Sequence, residues 1–229
     1  MVPFTFGMDG RIFEVGKPFE QLSEPSRPIP IEVQQLTGIS PDSLTGKRID
    51  LFEVARFAEA ADLIVAHNAG FDRPFLERLS PVFRQMPWAC SMSQIDWRSW
   101  GYESTKLEYL ALKTGFFFDG HRAAWDCFAG IELLSSRAGD STGMAHLLRG
   151  ALSTGWRIGV AGSPFDANAV LRERGYKWAR NGATGNRHWE VEVDEARKTE
   201  ELKFLGSDRF KRAAIQIARV SPFERFSAR

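Results

Sequence analysis

Two short segments carry residue types that could do chemistry together. The first is His67-Asn68-Ala69-Gly70-Phe71-Asp72, and the second, about fifty residues later, is His121-Arg122-Ala123-Ala124-Trp125-Asp126. Two Asp carboxylates can hold a hard divalent cation, which requires oxygen donors. A His can move a proton near neutral pH. His121 and Asp126 are five residues apart, a little over one helical turn, so a base and a carboxylate could face one cavity from one helix. Each segment also has a plain alternative. Asp72, early in a helix, could simply complement the helix dipole, and His121 with Asp126 could be a capping residue and a surface charge.

The elements that must position these residues follow from local patterns. Leu63-Ile64-Val65-Ala66 is an all-apolar run of the kind a strand buried on both faces shows. It leads through His67-Asn68 into a helix over about 71–80, which puts Asp72 at the carboxyl edge of a sheet, where open α/β sheets bind ligands. Trp88-Ala89-Cys90 reads as a second short strand. A helix from His121 to Arg137 follows, with Ala124, Cys127, Phe128, Ile131 and Leu134 as its apolar stripe. Further upstream, Met8-Asp9-Gly10-Arg11 separates two apolar runs, a strong hairpin signal. Ile31–Leu36 reads as a short helix stopped by Gly38, and Ser40-Pro41 and Asp50 read as helix starts. Strands alternating with helices imply an α/β sheet with helices packed on it.

The character of the chain changes near residues 153–157. Trp156–Val160 reads as a strand, Ser163-Pro164 opens a helix, and Tyr176–Trp178 with His188–Val193 brackets a Gly/Asn-rich hairpin turn. Asp194 caps a charged helix and Ala214–Val220 is a last alternating strand. Two domains are expected: residues 1–152, and a small α+β module over 153–229. Residues 151–229 hold 15 Lys/Arg against 10 Asp/Glu, a net of +5, whereas residues 1–150 have a net of −4. An acidic half beside a basic half fits a metal site next to a polyanion-binding surface, and chance asymmetry fits it equally well. Around the hairpin, Tyr176, Trp178 and Trp189 interleave with Arg172, Arg174, Lys177, Arg180 and Arg187. This pattern could stack bases or form core pairs.

The ordered motifs His67-Asn-x-x-Phe-Asp72-x-x-Phe-Leu76 and His121-Arg-Ala-x-x-Asp126, with Ile29–Ile39 before them, resemble the DEDDh group of 3′–5′ exonucleases. The epsilon proofreading subunit of bacterial DNA polymerase III belongs to that family. The resemblance covers residues 2 to about 137. It implies a ribonuclease H-like fold, a mixed sheet flanked by helices. It also implies two Mg²⁺ or Mn²⁺ ions about 4 Å apart that drive phosphodiester hydrolysis. By motif position Asp126 is a metal ligand, Asp72 holds the second ion directly or through water, and His121 is the general base. Asn68 and Phe71 shape the strand-to-helix turn on the substrate side, with His67 supporting it. Implied partners are single-stranded DNA or frayed 3′ ends, and a DNA polymerase subunit.

The family's first motif, Asp-x-Glu on the first strand, has no counterpart. Asp9 falls in a turn, and Glu14, Glu20 and Glu24 lack the spacing. The chain is therefore expected to be N-terminally truncated, to bind metal poorly and to be inactive as written. A catalytically dead nucleic-acid- or partner-binding module is the alternative. Among other residues, His146 and His188 read as structural, and Trp97 and Trp100 as core residues that could instead touch a substrate strand. Leu51-Phe52 partly echoes clamp-binding peptides but is expected to begin a buried helix face. Cys90 and Cys127 have no zinc spacing and read as reduced thiols. No apolar run is long enough to span a membrane, and the expected location is the cytoplasm.

Overall fold

The computed structural model describes residues 1–120, 122–180 and 185–227. The chain divides into two compact units, Met1–Ala151 and Leu152–Arg229.

The first unit opens with β1 (Phe4–Phe6) and β2 (Ile12–Val15), paired antiparallel around the Asp9-Gly10 turn. Gly10 has φ +81°, and a Cβ there would come within 2.3 Å of the Ala145 backbone nitrogen. Glycine thus allows the turn to lie directly on the start of a later helix, where the Thr142 hydroxyl donates to the Gly10 carbonyl at 2.8 Å. Next comes α1 (Ile31–Thr37), stopped by left-handed Gly38. Ser40 and Pro41 begin a single 3₁₀ turn rather than an α-helix. Asp50 caps α2 (Leu51–Glu59), accepting from the amides of Phe52 and Glu53 at 2.9 and 3.0 Å. Val54 and Ala58 form the buried face of α2. Leu51 and Phe52 remain 51% and 71% exposed, contrary to the expectation that they begin it. The cap places them on the first turn facing outward, and the buried stripe starts three residues later.

Then β3 (Ile64–Ala66) crosses over through α3 (Ala69–Leu79) and α4 (Val82–Gln85) to β4 (Trp88–Cys90), which pairs parallel with it. The unit continues with α5 (Leu107–Thr114) and α6 (Ala123–Ser135). A two-residue ladder of β5 (Arg137–Ala138) with β6 (Ser141–Thr142) follows, and α7 (Gly143–Ala151) closes the unit. Leu110, Leu133, Leu134, Met144 and Leu147 form the centre of its core, with Trp97 wholly inside. The hairpin residues Phe4, Phe6 and Ile12, with Leu63 just before β3 and Val65 within it, cover the same cluster. Parallel and antiparallel strands are both present, as a mixed sheet requires. They are hydrogen-bonded as separate pairs, however, because none of the described residues bridges the hairpin to β3.

The second unit runs β7 (Gly155–Ala161), α8 (Asn168–Glu173), β8 (Lys177–Arg180), β9 (Arg187–Val193), α9 (Glu195–Leu205) and β10 (Ala214–Val220). The strands form one antiparallel sheet in the order β10-β7-β9-β8. This is the split β-α-β-β-α-β arrangement. Pro164 starts a 3₁₀ turn before α8, and Asp194 caps α9 by accepting from the Arg197 amide at 2.8 Å. The Gly/Asn-rich turn expected between β8 and β9 lies largely outside the described residues. Tyr176 and Trp189 are buried, so the core side of their two readings is realised, while Trp178 is half exposed, edge-on to Trp189. Beneath them the wholly buried Glu201 accepts from Arg174 at 2.9 and 3.0 Å and from the Tyr176 hydroxyl at 3.2 Å, with Arg197 at 3.5 Å. Burial and this carboxylate push the Tyr176 phenol far above its ordinary value. Among the described residues no helix is long and apolar enough to cross a membrane.

Candidate active site

Parallel strands that end together leave a crevice at their carboxyl ends, and here that edge is fastened by His67. Its Nδ1 lies 2.9 Å from the Ser91 hydroxyl, one residue past β4, and its Nε2 lies 2.7 Å from the Thr105 carbonyl. A carbonyl only accepts, so Nε2 carries the proton and Nδ1 accepts from Ser91. Burial holds the imidazole pKa below its ordinary value, outweighing the Thr105 carbonyl and the Glu108 charge, which raise it. Both nitrogens are committed to the protein. His67 therefore ties the end of β3 to the loop before α5, a supporting place beside the turn that Asn68 and Phe71 shape.

Asn68 takes the left-handed conformation, φ 83° and ψ 49°, that lets the chain reverse from strand to helix within one residue. Asn tolerates this region better than other non-glycine residues. The Ala69 amide then donates to the Cys90 sulfur at 3.4 Å and the Phe71 amide to the Asn68 carbonyl at 2.8 Å. The helix is seated by Arg73, wholly buried, which pairs with Glu77 at 2.7 Å and lies over the Trp88 ring at 5.6 Å. Sequence reasoning missed Arg73. An i,i+4 Arg–Glu pair reads as a solvated helix face, and nothing local says that β4 covers it.

This seating puts Asp72 in the first turn of α3, half-buried, and Asp126 stands in the first turn of α6. The two carboxylates sense one another. The Asp72 pKa is raised, first by burial and further by the Asp126 charge, against the lowering influence of its own backbone amide. The Cys127 thiol beside them is pushed up by burial. Asp126, Asp72 and Glu20 push it further, and only the Met1 amino group lowers it, so it stays neutral. A thiol held this way is a poor nucleophile. His121, expected as the general base, lies outside the described residues. Phe71 is exposed beside Asp72 and meets Phe75 in a tilted pair at 5.1 Å between ring centres, and Trp125 is exposed beside Asp126. Trp125 was not singled out in the sequence, although it stands immediately before Asp126 as Phe71 stands before Asp72.

The donor chemistry suits a hard divalent cation. A carboxylate whose pKa is raised by burial and by a neighbouring acid is relieved by a positive ion. Among the described residues no three His, Cys, Asp or Glu side chains converge on one metal position, so the pair is a partial ligand set.

A family model described as Exonuclease, of the RNase T kind, matches residues 5–134, more than half of the chain, and the protein belongs to that family. Both carboxylates and the strand-to-helix turn fall inside the match. Exonuclease domains of this superfamily generally use divalent metals. No curated protein and no solved structure matches the chain.

Proposed function

We propose that the first unit is a 3′–5′ exonuclease domain of the DEDDh, polymerase III epsilon-like kind. It would act on single-stranded or frayed 3′ ends of DNA in proofreading or repair. The observation that carries this reading is the placement of Asp72 in the first turn of α3, behind the β3 turn, and of Asp126 in the first turn of α6, both within the residues matched by the exonuclease family model. Asp72 and Asp126 would hold Mg²⁺ or Mn²⁺, ions that stabilise charge on the attacking and leaving oxygens of a phosphodiester. His121 is proposed to take the proton of the attacking water. Asn68 sets the turn, and Phe71 offers a ring face to the terminal base.

The reading requires two further carboxylates on an Asp-x-Glu strand, which residues 1–28 do not contain. The chain as written is therefore expected to be nearly inactive. The test is release of mononucleotides from a 3′-labelled single-stranded oligonucleotide with Mn²⁺, using the chain alone and the chain preceded by an Asp-x-Glu strand. The reading predicts activity in the extended protein and its loss, by 100-fold or more on the order of ~3 kcal/mol, with Asp126→Ala. An extended, folded protein that leaves the oligonucleotide intact overturns it.

The incomplete ligand set favours a second reading, a catalytically silent module that binds nucleic acid or a partner. That reading predicts oligonucleotide binding indifferent to Mn²⁺, to Asp126→Ala and to His121→Ala.

A further inference from the structure

The two edges of the sheet in the second unit are built differently. β8 opens on Lys177, a charge that discourages edge pairing. β10 pairs with β7 over seven consecutive residues without a register break, and its other edge has no strand partner among the described residues. From Ala213 to Ala218 it contains no charge, no proline and no bulge. Such a regular apolar edge is a template for another strand.

Its side chains add a second feature. Ile215 stands opposite Val160 and Ile217 opposite Ile158, both partners buried in the core, so the two isoleucines lie on the helix side of the sheet. α9 packs on β7 and β9, and Ile215 and Ile217 are left 38% and 45% exposed. Ala214, Gln216 and Ala218 lie on the opposite face. The segment Ala214-Ile215-Gln216-Ile217-Ala218 reads the same in both directions. In an antiparallel pair of two such strands with the two-fold axis at Gln216, Ala214 faces Ala218, Ile215 faces Ile217 and Gln216 faces its own copy. Arg219 then falls opposite Ala213 and Arg212 opposite Val220, so no two arginines meet. A two-fold interface requires this self-matching of one patch, whereas an unrelated peptide strand does not.

We propose that β10 is a self-association edge, through which a second copy of this chain extends the sheet antiparallel about Gln216. The Ile215–Ile217 pairs of the two copies cover each other on the helix side. One strand pair is small beside the roughly 1,600 Å² of a standard interface, so the dimer is concentration-dependent and exchanges readily.

The test is sedimentation equilibrium of the full chain from low micromolar to several hundred micromolar, with amide hydrogen exchange followed along Ile215–Ala218. A monomer–dimer equilibrium is expected, with exchange in that segment slowing as dimer forms. Gln216→Lys and Gln216→Glu each place like charges directly opposite one another on an exposed position. Each alone should weaken the dimer roughly fivefold, and an equimolar mixture of the two should restore it. Circular dichroism and the thermal midpoint of both variants should match the parent, since Gln216 is exposed. A monomer at every concentration overturns the proposal. So does a dimer whose strength is the same in each variant and in the mixture, or an edge found occupied only by a foreign peptide.

Discussion

Glu201 in the second unit and Asp72 in the first are both withdrawn from water, and their surroundings differ. Glu201 is wholly buried and is met by Arg174, Arg197 and the Tyr176 hydroxyl, so its charge is answered. Asp72 is half-buried, and burial together with the negative charge of Asp126 disfavours its ionised form, against its own backbone amide. A carboxylate that is desolvated and fully paired holds a fold together. One that is desolvated beside a like charge costs stability at neutral pH and gains it back only when a cation or a proton arrives. The comparison separates an acid whose charge is paired from one whose charged form is disfavoured.

The largest expected effect tests the structural side. Glu201→Ala leaves two guanidinium groups and a buried phenol without their acceptor and should destabilise the second unit by about 3 kcal/mol, read as a fall in the urea midpoint. A change of only a few tenths would place Glu201 and Asp72 in the same class. His67→Phe is expected to cost about 2 kcal/mol through loss of its bonds to Ser91 and Thr105. It should also flatten the acid limb of stability. The folded His67 pKa lies below 6.5, so its contribution is complete above that value and is lost as pH falls through it.

Asp72→Asn should move stability the other way. The folded Asp72 pKa lies above 3.8, so stability is greatest below that value and is lost as pH rises through the raised folded pKa. Removing the charge should raise the thermal midpoint of the first unit at neutral pH by a few degrees while reducing any metal-dependent activity. A fall instead would mean that Asp72 is held by compensating bonds as Glu201 is. The smallest effect concerns the cation itself. Mn²⁺ at about ten times its dissociation constant should stabilise the parent by about 1.4 kcal/mol, measured as a shift in thermal midpoint. The shift should vanish in Asp72→Asn and shrink as the parent is acidified.

Local chemistry made much of the fold legible. Asp50 and Asp194 cap helices because a short acceptor before an apolar period satisfies free amides, and Gly38 ends α1 because it accepts positive φ. The strand ending at His67 and the helix carrying Asp126 were readable from apolar runs and a 3.6-residue stripe. The β5–β6 ladder was not, since two residues per strand carry no period. α4, one turn long, escaped for the same reason. The outward turn of Leu51 and Phe52 depended on which side of α2 the core lies.

By itself the sequence determined the family, the positions of the two carboxylates and the turns that present them, because those depend on residue types at fixed local spacing. Only the tertiary structure decided which groups His67 bonds, that Arg73 is buried against Trp88, and that Asp72 feels the charge of Asp126 while Glu201 is met by arginine. Each of those facts depends on contacts between residues remote in sequence or on what covers them, and no local pattern encodes whether a charge will be answered.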